Sequence, residues 1–256
     1  MDVIIFSGQS NMQGQTECLP LENNPVKGAF EYKVMPDELV PLVHPVGESV
    51  IVNKLDKHLL GASEGHGSLV PDFCRAYVKN SGREVVAVHC ARGNTTISEW
   101  LKGTQRYYYM GRKIKDALRK IGKIDRLFFV WFQGESDALM GTSESEYLNK
   151  LIAFKNDLKA DYGIEKFGII KTGYFVSTVG WLADGTTKEE RIAKDEKIMS
   201  ALEKAVEIDS DFVMLTRKAT ELSLDNEYIN PNADGHYNNL GMSIIGSDAG
   251  KKTAML

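Results

Sequence analysis

Apolar runs of strand length recur along the chain at Val3–Phe6, Glu84–His89, Arg126–Phe132, Phe167–Val176 and Phe212–Leu215. Within each run the apolar residues are continuous rather than alternating, the pattern of strands covered on both faces. Between the runs, helical patterns occupy about 70–79, 105–121, 143–161 and 187–208, and a final helix is expected over about 239–252. The third opens with Thr142-Ser143-Glu144-Ser145-Glu146, a Ser/Thr followed by Glu at capping-box spacing. The fourth mixes its charges at helical intervals, which predicts a solvated outer face. Strands alternating with helices predict an α/β protein with a parallel sheet between two helix layers.

One stretch breaks this rhythm. Between Gln15 and Gly67, prolines 20, 25, 36, 41 and 45 interrupt any long element, which predicts surface loops with short strands at a site's rim. No repeat, low-complexity segment or linker divides the 256 residues, so one domain over 1–256 is expected.

Composition narrows the function classes. The chain is 43% hydrophobic and 26% charged, ordinary for a globular protein. A net charge of -4 gives no electrostatic reason to expect nucleic acid or an anionic membrane as partner. No apolar stretch approaches the roughly 20 residues that span a bilayer. Met1-Asp2-Val3-Ile4 carries no basic leader or cleavage site, and the expectation is a cytoplasmic protein. Cys18, Cys74 and Cys90 have neither metal nor redox spacing and are expected as free thiols.

The chemistry begins where the first apolar run ends, in Gly8-Gln9-Ser10-Asn11-Met12-Gln13-Gly14. A glycine-bracketed turn after a strand presents a serine hydroxyl at the carboxyl edge of a sheet, where open α/β sheets bind ligands. A helix starting at about Asn11 would place its positive end beside Ser10. A phosphate loop is excluded. Five residues rather than four separate the glycines, and Gln15-Thr16 follows where Lys-Ser/Thr is required.

Near the other end, Asp234-Gly235-His236-Tyr237-Asn238 precedes the final helix. Read alone it is a common turn sequence. His236, however, is one of five histidines and lies in a polar loop, where an imidazole can take a serine's proton near pH 7. Two more polar segments follow predicted strands: Ala91-Arg92-Gly93-Asn94-Thr95-Thr96-Ile97, and Trp131-Phe132-Gln133-Gly134-Glu135-Ser136-Asp137. Gly93 would let a backbone N–H approach an oxyanion, and Gln133 offers an uncharged amide donor.

Together, Gly-Gln-Ser-Asn-Met-x-Gly, Ala-x-Gly-x-Thr-x-Ile-x-x-Trp, Trp-x-Gln-Gly-Glu-Ser-Asp and the late Asp/His loop resemble the SGNH (GDSL-like) hydrolase superfamily. The resemblance runs from residue 8 to residue 236 and is strongest to the carbohydrate-acetylesterase branch, which includes sialate O-acetylesterase-like and acetylxylan-esterase-like proteins. It implies a three-layer α/β/α sandwich around a flavodoxin-like sheet of five parallel strands. It implies Ser10 as nucleophile, His236 as general base and Asp234 as the residue that orients it. The oxyanion hole would combine the N–H groups of Ser10 and Gly93 with the Gln133 amide. Gln9, Asn11, Asn94 and Glu135 are expected at the substrate, with Glu135 bracing the Ser10 turn as the alternative. No metal or organic cofactor is implied.

The chain departs from the family pattern at Asp-x-His, where relatives carry Asp-x-x-His, and at Asn94, where relatives commonly carry glycine. Among further candidates, Trp100 and Tyr107-Tyr108-Tyr109 could stack on a sugar or pack as core. His66 could line the pocket, and Arg92 could meet an acidic substrate or a surface partner. Asp137 is expected to support its own loop, and His58 and His89 form no metal site. The expected activity is removal of O-acetyl groups from an acetylated sugar or oligosaccharide. The alternatives are a lipase-like or thioester hydrolase on the same fold, and a carbohydrate-binding protein that has lost catalysis.

Overall fold

The computed structural model describes residues 1–50, 59–175, 185–233 and 235–256. Asp2–Gly8 (β1), Val85–Ala91 (β4) and Leu127–Phe132 (β5) are buried along their whole length, as their unbroken Val, Ile and Phe runs require. Lys166–Ile170 (β6) and Phe212–Thr216 (β7) continue the sheet on one side. On the other side it continues through Ala29–Lys33 (β2) and Glu38–Pro41 (β3), giving the strand order β3-β2-β4-β1-β5-β6-β7. All neighbours pair in parallel except β2 with β3.

The five consecutive strands β4-β1-β5-β6-β7 have the flavodoxin-like order, in which β4, the second of them in sequence, lies outside β1, the first. The expected five-stranded sheet is therefore present, extended to seven by the β2–β3 hairpin from the proline-broken stretch. The expected strand at 167–176 is shorter than its apolar run. The chain leaves the sheet at Lys171, and Val176 lies outside the described residues.

Val70–Ser81 (α2), Lys218–Leu222 (α7) and Asn239–Thr253 (α8) cover one face, with Phe73, Tyr77, Ala219, Met242 and Ile245 in its core. Gln105–Ile121 (α3), Glu144–Tyr162 (α5) and Lys188–Ile208 (α6) cover the other, around Trp100, Trp131, Phe154 and Leu202. α8 lies close on α2: a Cβ at Gly246 or Gly250 would run into the carbonyl oxygens of Leu69 and Phe73. Ser143 caps α5 as its sequence predicts, accepting from the Glu146 N–H at 3.2 Å. The outer-face expectation for α6 needs correction, because Arg191 and Asp195 are buried there as an ion pair at 3.3 Å. Two short helices, Ser10–Gln13 (α1) and Glu135–Met140 (α4), start directly after β1 and β5. They open at the carboxyl edge of the sheet, on either side of the point where its strand order reverses.

Candidate active site

The end of β1 can only be built with glycine. Gly8 has φ +149°, and a Cβ there would collide with the Phe132 carbonyl of the neighbouring strand. The chain then turns at once into α1, with the Gln9 carbonyl accepting from the Met12 and Gln13 N–H groups. Ser10 is the first residue of this helix and is largely buried. Its own N–H and that of Asn11, at the open first turn, donate to no acceptor among the described residues.

Nε2 of His236 lies 2.8 Å from Ser10 Oγ. With the ring proton on Nδ1, the serine hydroxyl donates to Nε2, the arrangement a general base needs. The loop that carries His236 is held from several sides. The Asn230 N–H donates to the His236 carbonyl at 2.8 Å, and Asn230 Nδ2 donates to the Gln15 carbonyl at 2.7 Å. Asn11 Nδ2 donates to the Gly235 carbonyl at 3.3 Å, and Asn238 caps α8 by accepting from the Gly241 N–H. Phe175 meets the imidazole edge-on, 5.5 Å between ring centres. Asp234, expected to orient the imidazole, lies outside the described residues.

Ser10 opens into a cleft of about 310 Å³, within the lower range for small-ligand sites. Gln13, Arg92, Asn94, Leu139, Phe175 and His236 line it. Gly93 packs directly on the nucleophile, and a Cβ there would lie 3.2 Å from Ser10 Cβ. Asn94 is exposed at the mouth in a left-handed conformation, φ 57°, which asparagine tolerates. Arg92 is half-buried and carries no ion pair or side-chain hydrogen bond among the described residues, so the surface-partner alternative fails.

Several expected substrate contacts are instead supports. Gln133 is fully buried, and its Nε2 faces the Thr95 carbonyl at 2.8 Å, Asp137 Oδ2 at 2.6 Å and Gln9 Oε1 at 3.2 Å. Three acceptors around two hydrogens leave nothing to point at an oxyanion, so Gln133 braces the neighbouring loops. Gln9 borders the cleft, but its Oε1 also collects the N–H groups of Gly134 and Ser136, at 3.4 and 3.1 Å. Asn11 and Glu135 are buried behind the turn, bonded to each other at 2.8 Å, and do not line the cleft. Burial pushes the Glu135 carboxyl up to about 7. The Gly93 N–H donates to Gln13 Oε1 at 2.8 Å.

Trp100 is core, edge-on to Trp131 at 5.7 Å, and Tyr107 is buried beside Phe154, so neither stacks on a sugar in the cleft. His66 borders an adjoining polar recess rather than the Ser10 cleft. His89 is buried with Nε2 near the Met12 carbonyl, and His58 lies outside the described residues. Asp137 accepts from the Ile97 N–H and the Thr142 hydroxyl, the loop support its sequence position predicts.

Sequence alone did not single out Gln13, Leu139 or Phe175. Phe175 is the least legible, because it lies inside the apolar run read as a strand over 167–176 and reaches the cleft only after the chain leaves the sheet. Asp195 accepts the Phe175 N–H at 2.9 Å, and Arg191 Nε donates to its carbonyl at 3.3 Å. The buried pair of α6 thus holds one wall of the cleft.

Residues 1–235 match the family described as carbohydrate esterase, sialic acid-specific acetylesterase. The chain belongs to this family. It is accordingly an esterase that removes O-acetyl groups from carbohydrates. A probable carbohydrate esterase of Arabidopsis thaliana is 24% identical over 231 residues, 85% of each chain. The crystal structure of that plant protein superposes with a TM-score of 0.71 at 19% identity, covering 99% of this chain and 97% of the other. The crystal structure of NanS gives 0.64 at 18% identity, covering 99% and 96%. A carbohydrate acetylesterase from Xanthomonas citri gives 0.57 at 15% identity, covering 96% of this chain and 54% of its own. These structures share the fold of the esterase.

Proposed function

We propose that the esterase deacetylates its sugar substrate through Ser10 and His236. Ser10 Oγ attacks the acetyl carbonyl while His236 Nε2 takes its proton. The C–O bond to the sugar then breaks, the imidazolium protonates the departing hydroxyl, and an acetyl-serine remains. Water, deprotonated by the same nitrogen, releases acetate and restores Ser10. The Ser10–His236 contact at 2.8 Å is the observation that carries this reading.

The Ser10 N–H, without an acceptor among the described residues at the start of α1, supplies the first donor to the tetrahedral oxyanion. The second is the Gly93 N–H. Gln13 Oε1 holds it in the free enzyme, and the incoming carbonyl oxygen takes over that place. Gln133 acts on this hole indirectly, by fixing the Thr95 carbonyl.

Arg92 and the family description favour an acidic acetylated sugar, of which an O-acetylated sialic acid is the prototype. A guanidinium on a cleft wall, unpaired among the described residues, attracts a carboxylate or phosphate group.

Purified protein assayed with p-nitrophenyl acetate and with O-acetylated sialic acid tests the assignment. Ser10→Ala and His236→Ala are expected to lose at least about a thousandfold in kcat. Turnover that survives both changes overturns the roles given to these residues. Preference for p-nitrophenyl octanoate over the acetate overturns the small acyl site.

A further inference from the structure

Behind Ser10, on the side away from the cleft, Asn11 and Glu135 form a polar pair that is 1% and 3% exposed. Asn11 Nδ2 donates to Glu135 Oε1 at 2.8 Å and to the Gly235 carbonyl at 3.3 Å. One amide thereby joins the nucleophile turn, the start of α4 and the histidine loop. Two buried atoms of the pair, Asn11 Oδ1 and Glu135 Oε2, have no hydrogen-bond partner among the described residues. They are the other ends of the same amide and the same carboxyl.

An ionised carboxylate offers only lone pairs and leaves both atoms unsatisfied. Two buried acceptors without a donor are costly, and native interiors seldom keep them. A proton on Oε2 supplies the donor that Oδ1 lacks and turns a single hydrogen bond into a closed acid–amide pair. We propose that Glu135 is a neutral carboxylic acid that pairs with Asn11 through both of its oxygens, and that this pair positions Ser10 against His236.

The surroundings support a neutral group. Among the described residues no lysine, arginine or histidine forms an ion pair with the Glu135 carboxyl. From α6, Arg191 pairs with Asp195 and reaches only the Glu135 backbone carbonyl, at 3.4 Å. From α5, the Tyr147 hydroxyl donates to the Gln133 carbonyl, and ahead of α8 the Tyr237 hydroxyl donates to the Ala219 carbonyl. His236 directs Nε2 at Ser10. Burial raises the Glu135 carboxyl to about 7, with Asp195 acting in the same direction and the Asn11 side chain and the Glu135 and Gly134 backbone N–H groups opposing.

This positioning role rests on the Ser10–His236 assignment, whereas the protonation state does not, and the experiment separates the two. The carboxyl signal of Glu135 is followed by ¹³C NMR in protein labelled at glutamate and assigned by its loss in Glu135→Gln. At about pH 6 it is expected at the shift of a protonated acid, moving to the ionised shift only near neutrality. The same titration is expected in Ser10→Ala, whose catalytic outcome tests the nucleophile separately. An ionised signal at pH 6 overturns the proposal.

For the positioning role, Glu135→Gln restores one donor and one acceptor toward Asn11, and Glu135→Ala restores neither. At about pH 6 the glutamine variant is expected to keep kcat/KM within about threefold of wild type, and the alanine variant to lose at least about tenfold. Between pH 6 and about pH 8.5 the ratio of Glu135→Gln to wild type is expected to rise at least threefold, because only the wild type ionises. Equal losses in both variants at pH 6, with folding retained by circular dichroism, overturn the positioning role.

Discussion

Gly93 and Ser10 lie so close that a methyl group on the glycine would sit 3.2 Å from the serine Cβ. Gln13 Oε1 and Gln15 Nε2 stand 3.5 Å from the same point. Gly93→Ala is therefore expected to tilt the Ser10 side chain by a few tenths of an ångström and to crowd the oxyanion site. The loss should appear in kcat, by about 10- to 100-fold, with the melting temperature within about 3 °C of wild type. Steady-state kinetics beside a thermal melt check it; an unchanged kcat removes Gly93 from the oxyanion site.

Gln9, at the border of the cleft, is also a hub. Its Oε1 gathers donors from Gln133, Gly134 and Ser136 at 3.1–3.4 Å, tying β1 to the start of α4. Gln9→Ala leaves these buried donors without their acceptor, which costs about 2 kcal/mol of stability. Urea unfolding measures it. A loss below about 0.5 kcal/mol shows that water replaces the side chain.

If Arg92 receives an acidic group, Arg92→Ala should reduce kcat/KM for an O-acetylated sialic acid about 30-fold or more, a charge-assisted contact being worth about 2–3 kcal/mol. An acetylated neutral sugar such as acetylated xylose should lose less than about threefold. Added salt should weaken the wild type on the acidic substrate and leave the variant nearly unaffected. Equal losses on both substrates would show that the guanidinium shapes the cleft rather than reading charge.

The raised Glu135 carboxyl also has a signature in stability. Its folded-state pKa of about 7 lies above the ordinary 4.5, so the folded protein holds this proton over a range where the unfolded chain has released it. Stability from this group falls as pH rises from about 4.5 to about 7, then levels off. The full shift corresponds to about 3 kcal/mol, or a fall of about 5–10 °C in melting temperature. Asp195, raised to about 6 by burial, slopes the same way in both proteins. Glu135→Gln should therefore melt nearly with wild type at about pH 5 and several degrees above it at about pH 8. Parallel melting curves across that range contradict a raised carboxyl.

The long elements of this protein are written in its hydrophobic pattern, whereas the division of labour among its polar residues is not. β1, β4 and β5 are apolar on both faces and flanked by turns, so their place in the sheet could be read directly. β2 and β3 could not, because their short runs fall among prolines, and β2 is held by pairing to β4 and β3 by pairing to β2 rather than by their own pattern. The residues the motifs singled out lie together, Ser10 beside His236 and Gly93 beside Ser10. Within each motif, however, adjacent polar residues point opposite ways. Ser10 faces the cleft and Asn11 the interior; Ser136 borders the cleft while Gln133 and Glu135 lie behind it. Residue type does not encode that choice. Backbone turns at Gly8 and Gly134, both at strongly positive φ, make it.

Gly246 and Gly250 of α8 reach further than their own contacts. α8 starts directly after the loop bearing His236, and its depth against α2 is set by bare backbone at Gly246 and Gly250 resting on the Leu69 and Phe73 carbonyls. A methyl at either point would lift the helix off its neighbour and carry the imidazole away with it. The aim of the proton acceptor is thus governed by a seam of missing side chains about two and three turns along the helix, where nothing chemical takes place.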